Sequence, residues 1–320
     1  MSQYSAPLPG GAPISDVSYR DYGGPLHTRA VRWWIVAAAG IRMLVKKPGF
    51  WIVCALSLLP YAFAGVMLYV ESQGMLRSVG MMPKYPADQK FAAQFFGALD
   101  GQWFWLFVLA LMIGAGSIAA DNRTNALLVY LAKPLTKGDY LLGKWMGIFL
   151  VVFAAAAAPA LILYLYCLIS YLDAGFLKNE PWLILRLLAA AAIPAAMHAS
   201  LLVGFSAWSK TPRVAGASYA ALFLVGQLIT TAIWLIRFRG DMTNGIVVRH
   251  LSVGGVIKGL AQNIYGVTLL VPTGHRRRGI EIVSMDPPML GVMLAIGLTL
   301  VVLGVVAARM RIQAVEVIRG

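Results

Sequence analysis

Charge is scarce in this sequence. Asp, Glu, Lys and Arg make up 12% of its 320 residues, where a soluble domain carries roughly 25%, so a water-exposed globular fold is excluded. Cysteine is scarcer still. Cys54 and Cys167 both sit inside apolar runs and read as small packing residues, with no disulfide framework or zinc pattern. The four histidines, His27, His198, His250 and His275, are scattered and form no ligand cluster, so no metal site is expected. No G-x-x-x-x-G-K-[ST] occurs, so the chain has no P-loop for ATP. Paired acids or an activated nucleophile at one membrane depth are also missing, as is the G-x-S-G element of a rhomboid-like protease. Those gaps count against a lipid-modifying enzyme, and no catalytic residue is assigned.

What is present is apolar surface. Hydrophobic residues make up 59% of the chain, and abundant Gly and Ala suit close-packed transmembrane helices. The formal charge of +14 fits basic residues flanking membrane spans and facing anionic cytoplasmic lipid. Nucleic acid is not an expected partner. The opening "MSQYSAPLPGGAPISDVSYRDYGGPLHT" is rich in Pro, Gly, Ser and Tyr. It does not read as a signal peptide and cannot bury enough apolar surface to order itself; residues 1–28 are expected to be a disordered cytoplasmic tail.

A helix needs about 20 apolar residues to cross the hydrocarbon. Six runs qualify: Phe50–Val70, Trp103–Ala120, Trp145–Leu172 with Pro159, Trp182–Trp208 with Pro194, and approximately 215–236 and 288–307. An even number places both termini on one side. Fifteen Lys and Arg fall on that side, against four in the two short loops opposite (Arg77, Lys84, Lys90 and Lys178), which makes both termini cytoplasmic. The stretch 237–287 adds seven basic residues outside, but long loops obey the charge rule poorly.

Before the first run, in "VRWWIVAAAGIRMLVKKP", Arg32, Arg42 and Lys46 share one side at 100° per residue. Residues 29–49 therefore read as an amphipathic helix in the interface plane, or packed on the cytoplasmic ends of the bundle. The expected architecture is an all-α integral membrane protein. It has this interfacial helix, a six-helix transmembrane domain over 50–308, re-entrant half-helices before the last span, and a cytoplasmic tail over 309–320.

The re-entrant expectation comes from 251–271, "LSVGGVIKGLAQNIYGVTLLV". Gly254, Gly255, Gly259 and Gly266 interrupt it, and a central Lys258 would be costly in a full span. Two half-helices covered by protein fit better than a seventh span, which would flip the C-terminus. "GHRRRGIE", 274–281, is a basic cluster that could meet anionic headgroups or an anionic cargo, or simply be solvated. Among polar groups within the spans, Arg186 lies near an end and should snorkel. His198 and Ser200 lie deeper. With Lys258 they are candidates for lining a pathway, or they are satisfied by neighbouring helices.

Between the second and third runs lies "DNRTNALLVYLAKPLTKGDYLLGKWMG". Leu127, Leu128 and Leu131 share a face, so a short helix is expected. Pro134 ends it. Thr136, three residues before Asp139, has capping-box spacing. A plain connector needs four or five residues, and here about 24 carry an apolar face and a basic turn. The face either receives a partner or lies on the membrane.

This segment resembles the cytoplasmic loop of ABC-2-type transporter permeases. The resemblance rests on Asp121, Thr124, Leu127, Leu128, Pro134, Thr136, Lys137, Leu141, Leu142, Gly143 and Lys144. Family members more often carry Glu at 121, Gly in place of Arg123, and Arg in place of Lys137. The resemblance implies a non-catalytic permease subunit of an ATP-driven exporter. ATP and Mg would bind a separate cytoplasmic ATPase, and none would bind this chain. Asp121, Arg123, Thr124, Leu127, Leu128, Pro134, Thr136, Lys137, Asp139 and Lys144 would form the coupling segment, 121–144, with a helix at about 125–132 docking on the ATPase. A second permease copy, identical or related, would complete the pathway in the bacterial inner membrane. The alternatives are a membrane anchor or assembly factor, or a lipid-modifying enzyme without transport.

Overall fold

The computed structural model describes residues 32–74, 85–86, 89–124, 135–237, 248, 250–276 and 279–312. Pro48 sets the first turn of α2 (Pro48–Ser72) just after α1 (Arg32–Val45), because proline's missing N–H costs nothing at a helix start. α3 (Lys90–Gly114) and the short α4 (Ala119–Arg123) form the second long rod. α5 (Lys137–Tyr171), the single turn α6 (Phe176–Asn179) and α7 (Leu183–Trp208) follow. The fifth rod is α8 (Pro212–Ala220), a π-helical turn over Ala221–Val225, and α9 (Gly226–Arg237). Then come α10 (Val253–Tyr265), an antiparallel hairpin of β1 (Leu269–Arg276) and β2 (Gly279–Met285), and α11 (Leu290–Arg311).

Among the described residues six helical rods are long and apolar enough to cross a membrane: α2, α3–α4, α5, α7, α8–α9 and α11. All six sequence runs are therefore present in an all-α, multi-pass membrane protein. The second rod begins at Lys90, well before the Trp103 that opens its most apolar part. α7 is the most buried rod; α8–α9 and α11 are the least. The rods alternate in direction, which defines two ends. One carries α1, the end of α4, the start of α5 and the C-terminal end of α11. The other carries α10 and the hairpin.

Small residues set the closest contacts. A Cβ on Gly204 of α7 would stand 2.9 Å from the Gly304 carbonyl oxygen of α11, so the two backbones touch. A Cβ on Gly143 of α5 would stand 2.5 Å from the Trp33 carbonyl oxygen and 2.6 Å from the Val36 Cβ, which seats α1 directly on α5. α1 buries Val36, Ala37 and Leu44 and leaves Trp34, Ile35 and Met43 exposed. Polar side chains also tie the rods. Gln102 Nε2 donates to the carbonyls of Ser57 (3.0 Å) and Ala155 (2.8 Å), joining α3 to α2 and α5.

The region before the last rod departs from expectation. Within 251–271, in place of the two half-helices expected there, the described residues form one helix, α10, which leads into the hairpin. Gly266, at φ +66°, stops α10 in the left-handed conformation that glycine adopts without strain. Thr268 to Val271, rich in β-branched and long apolar residues, then lead into the strand paired with 279–285. At 13 residues α10 is about 20 Å long, too short for a seventh span.

Candidate functional site

The candidate residues fall into two groups, one at each end of the bundle. At the α1 end the second rod breaks before its terminus. The turn at 115–118 interrupts the helix, and Ser206 of α7 repairs its hydrogen bonding. Its hydroxyl donates to the Ala115 carbonyl (3.0 Å) and accepts from the amides of Ile118 (3.0 Å) and Ala119 (2.9 Å). The break re-aims α4, which presents Asp121 to α5.

Asp121 is the hub of that end. Its Oδ2 lies 2.7 Å from the Lys144 ammonium and accepts from the Tyr140 hydroxyl at 2.6 Å. The ammonium sits 5.4 Å from the centre of the Tyr140 ring. The two charged side chains are only 15% and 13% exposed. This contact closes the long connection, joining the last turn of the second rod to the first turns of the third. α5 starts as its spacing predicts. The Thr136 hydroxyl accepts from the Asp139 amide (3.1 Å), and Asp139 Oδ2 accepts from the Thr136 amide (3.2 Å) and hydroxyl (2.7 Å). Lys137 is the first residue of α5 and is exposed. Arg123 and Thr124 close α4, where the Thr124 hydroxyl donates back to the Ala120 carbonyl (3.0 Å). Leu127, Leu128 and Pro134, with the short helix expected at 125–132, lie outside the described residues.

α5 is also long. Its 35 residues make a rod of about 52 Å at 1.5 Å per residue, against about 30 Å of hydrocarbon. The polar lock engages the first eight residues of that rod, Lys137 to Lys144.

At the hairpin end a cavity of about 190 Å³ opens between α3, α7, the fifth rod and α10. Two of the three candidate pathway residues line it: His198 and Lys258. Ser200 does not; its hydroxyl accepts from the Trp145 indole N–H at 2.8 Å. His198 is buried, with Nδ1 2.5 Å from the Tyr219 hydroxyl. Lys258 of α10 pairs directly with Asp100 of α3. The N-terminus of α10 is capped by Ser252, which also donates to Gln227 Oε1 (2.7 Å) just past the π turn. Gln262 Nε2 donates to the Val267 and Met285 carbonyls, fastening the hairpin to α10. Tyr265, at the end of α10, has a buried hydroxyl, and burial pushes its phenol above the usual tyrosine range. Arg186 is not merely snorkelling. It pairs with the buried Glu180 at 3.1 Å and donates to the Tyr265 carbonyl at 3.4 Å.

Sequence reasoning missed Asp100, Tyr140, Trp103, Phe223 and Gln227. Asp100 had a usable signal: an acid within three residues of an apolar run. The π turn that holds Phe223 against the cavity had none.

No curated protein matches the chain. The family model of the ABC-2 family transporter protein matches residues 34–238. That stretch contains all but the first two residues of α1, the first five rods and the segment 121–144. On that match, over more than half of its length, the chain belongs to the ABC-2 transporter family.

Proposed function

We propose that this permease drives export by mechanical coupling to a separate ATPase, and that the segment 121–144 is where the two meet. The carrying observation is the lock of Asp121, Lys144 and Tyr140 on a rod that begins with a closed capping box. A force applied at the connection would reach α5 directly, because a stiff 35-residue helix with a fixed first turn moves as one body. Binding of ATP and Mg by the partner subunit supplies the two states between which the rod is moved. The connection then faces the cytoplasm, both termini lie with it, and the membrane is the bacterial inner membrane, as the distribution of Lys and Arg supports. A second permease copy would close a two-fold assembly; the apolar exposed faces of α2, α9 and α11 offer surface for it and for lipid. The cavity with His198 and Lys258 belongs to the outer half of the pathway in this reading.

The test is co-purification with an ATP-binding-cassette ATPase, followed by ATPase stimulation in reconstituted vesicles. Wild-type permease should hold and stimulate the ATPase, and Pro134→Ala combined with Lys137→Glu should lose the association while the permease stays folded. A permease that binds no ATPase, or that binds one without stimulating it, returns the anchor or assembly reading to first place.

A further inference from the structure

The cavity at the hairpin end is more than a packing fault. A void lined only by Leu, Ile and Phe stays dry and apolar, and one of about 150 Å³ accepts a benzene-sized body. This one, at about 190 Å³, has the carboxylate of Asp100 on its wall together with three aromatic rings, Phe96, Trp103 and Phe223. Trp103 and Phe223 lie 5.9 Å apart with their planes 35° from one another. The Lys258 ammonium enters this box from α10. It pairs with Asp100 and sits 5.8 Å from the centre of the Phe96 ring. The chain's own ammonium thus marks a place where positive charge is stabilised by a carboxylate and by ring faces, the combination that recognises alkylated ammonium groups.

We propose that this cavity is a binding site for a small organic ammonium ion, and that Lys258 is its tethered internal competitor. A ligand cation would take the Asp100 carboxylate and the ring faces, and Lys258 would leave. Release of Lys258 removes the ion pair that joins α10 to α3 and leaves the Phe96–Tyr265 ring contact between them. Ligand arrival and loss of that ion pair are thereby one event. His198 would form the inner wall, where its Nδ1 is already committed to Tyr219. The inference deepens the export reading by naming a cargo class, and it rests on that reading for its physiological meaning.

The experiment uses the full chain purified in lipid nanodiscs without any ATPase. The probe is benzyltrimethylammonium, compared with its uncharged carbon isostere, and binding is followed by calorimetry and by quenching of tryptophan fluorescence. Wild type should bind the cation in preference to the isostere. Lys258→Met should bind the cation about tenfold tighter, and Asp100→Asn should lose it. Trp103→Leu should weaken it by about tenfold, the worth of one desolvated cation–ring contact. Equal binding of cation and isostere, or unchanged binding in Asp100→Asn, overturns the proposal. If Lys258→Met does not fold, the cation–isostere contrast in wild type and the Trp103→Leu loss decide alone. A permease that binds the cation but stimulates no ATPase defeats only the export reading; one that couples to an ATPase and ignores the cation defeats only this inference.

Discussion

The Asp121–Lys144 pair at one end of the bundle and the Asp100–Lys258 pair at the other each join two helices, in different surroundings. At the α1 end Asp121 and Lys144 are nearly buried, share Tyr140, and stand beside backbone-to-backbone glycine contacts. At the hairpin end Asp100 and Lys258 are 34% and 28% exposed and stand beside a void. Close-packed interiors transmit strain, and voids absorb it. The difference teaches that the first end is close-packed and the second is not, which is the contrast that the proposed coupling and the proposed binding site require. One lysine is held in a packed wall, and the other pairs with its carboxylate at the edge of a void.

Three substitutions test that contrast by stability. Asp121→Asn removes the carboxylate that Lys144 and Tyr140 share, and should cost about 2–3 kcal/mol, somewhat under the toll of breaking a fully buried pair. The check is thermal unfolding in nanodiscs. Gly143→Val forces side-chain carbon into the Trp33 carbonyl and Val36. It should cost about 2 kcal/mol by overpacking, and protease should then cut between α1 and α2 faster than in wild type. Asp100→Asn should cost about 1 kcal/mol or less, since a solvated pair contributes little. If its unfolding temperature falls as far as that of Asp121→Asn, the two ends are not mechanically different.

Much of this arrangement is legible in the chain itself. Apolar runs place the rods because hydropathy is a sum over neighbouring residues. The cap on α5 is legible for the same reason: Thr136 and Asp139 satisfy each other across three residues. The lock is half legible. Asp121 and Lys144 stand out as charges beside apolar runs, but their meeting across 23 positions depends on how α4 is aimed. That in turn depends on Ser206, far away on α7. The cavity is hardly legible, because voids arise from how four helices pack and no single pattern encodes them. The hairpin was missed because its strands follow an apolar helix with only Gly266 as punctuation, and hydropathy alone does not separate a buried helix from a strand.

The central claim is that the connection between the second and third rods is the surface through which an ATPase moves this permease. The most direct measurement is disulfide crosslinking to a partner ATPase bearing a single surface cysteine. It would use a permease with Cys54→Ala and Cys167→Ala, and one new cysteine at a time. Thr124→Cys, beside the connection, should crosslink in the assembled transporter, and more slowly when ATP holds the partner subunits closed. Leu251→Cys, exposed at the hairpin end, should not crosslink. Capture of the ATPase at Leu251→Cys, with none at Thr124→Cys, would contradict the account.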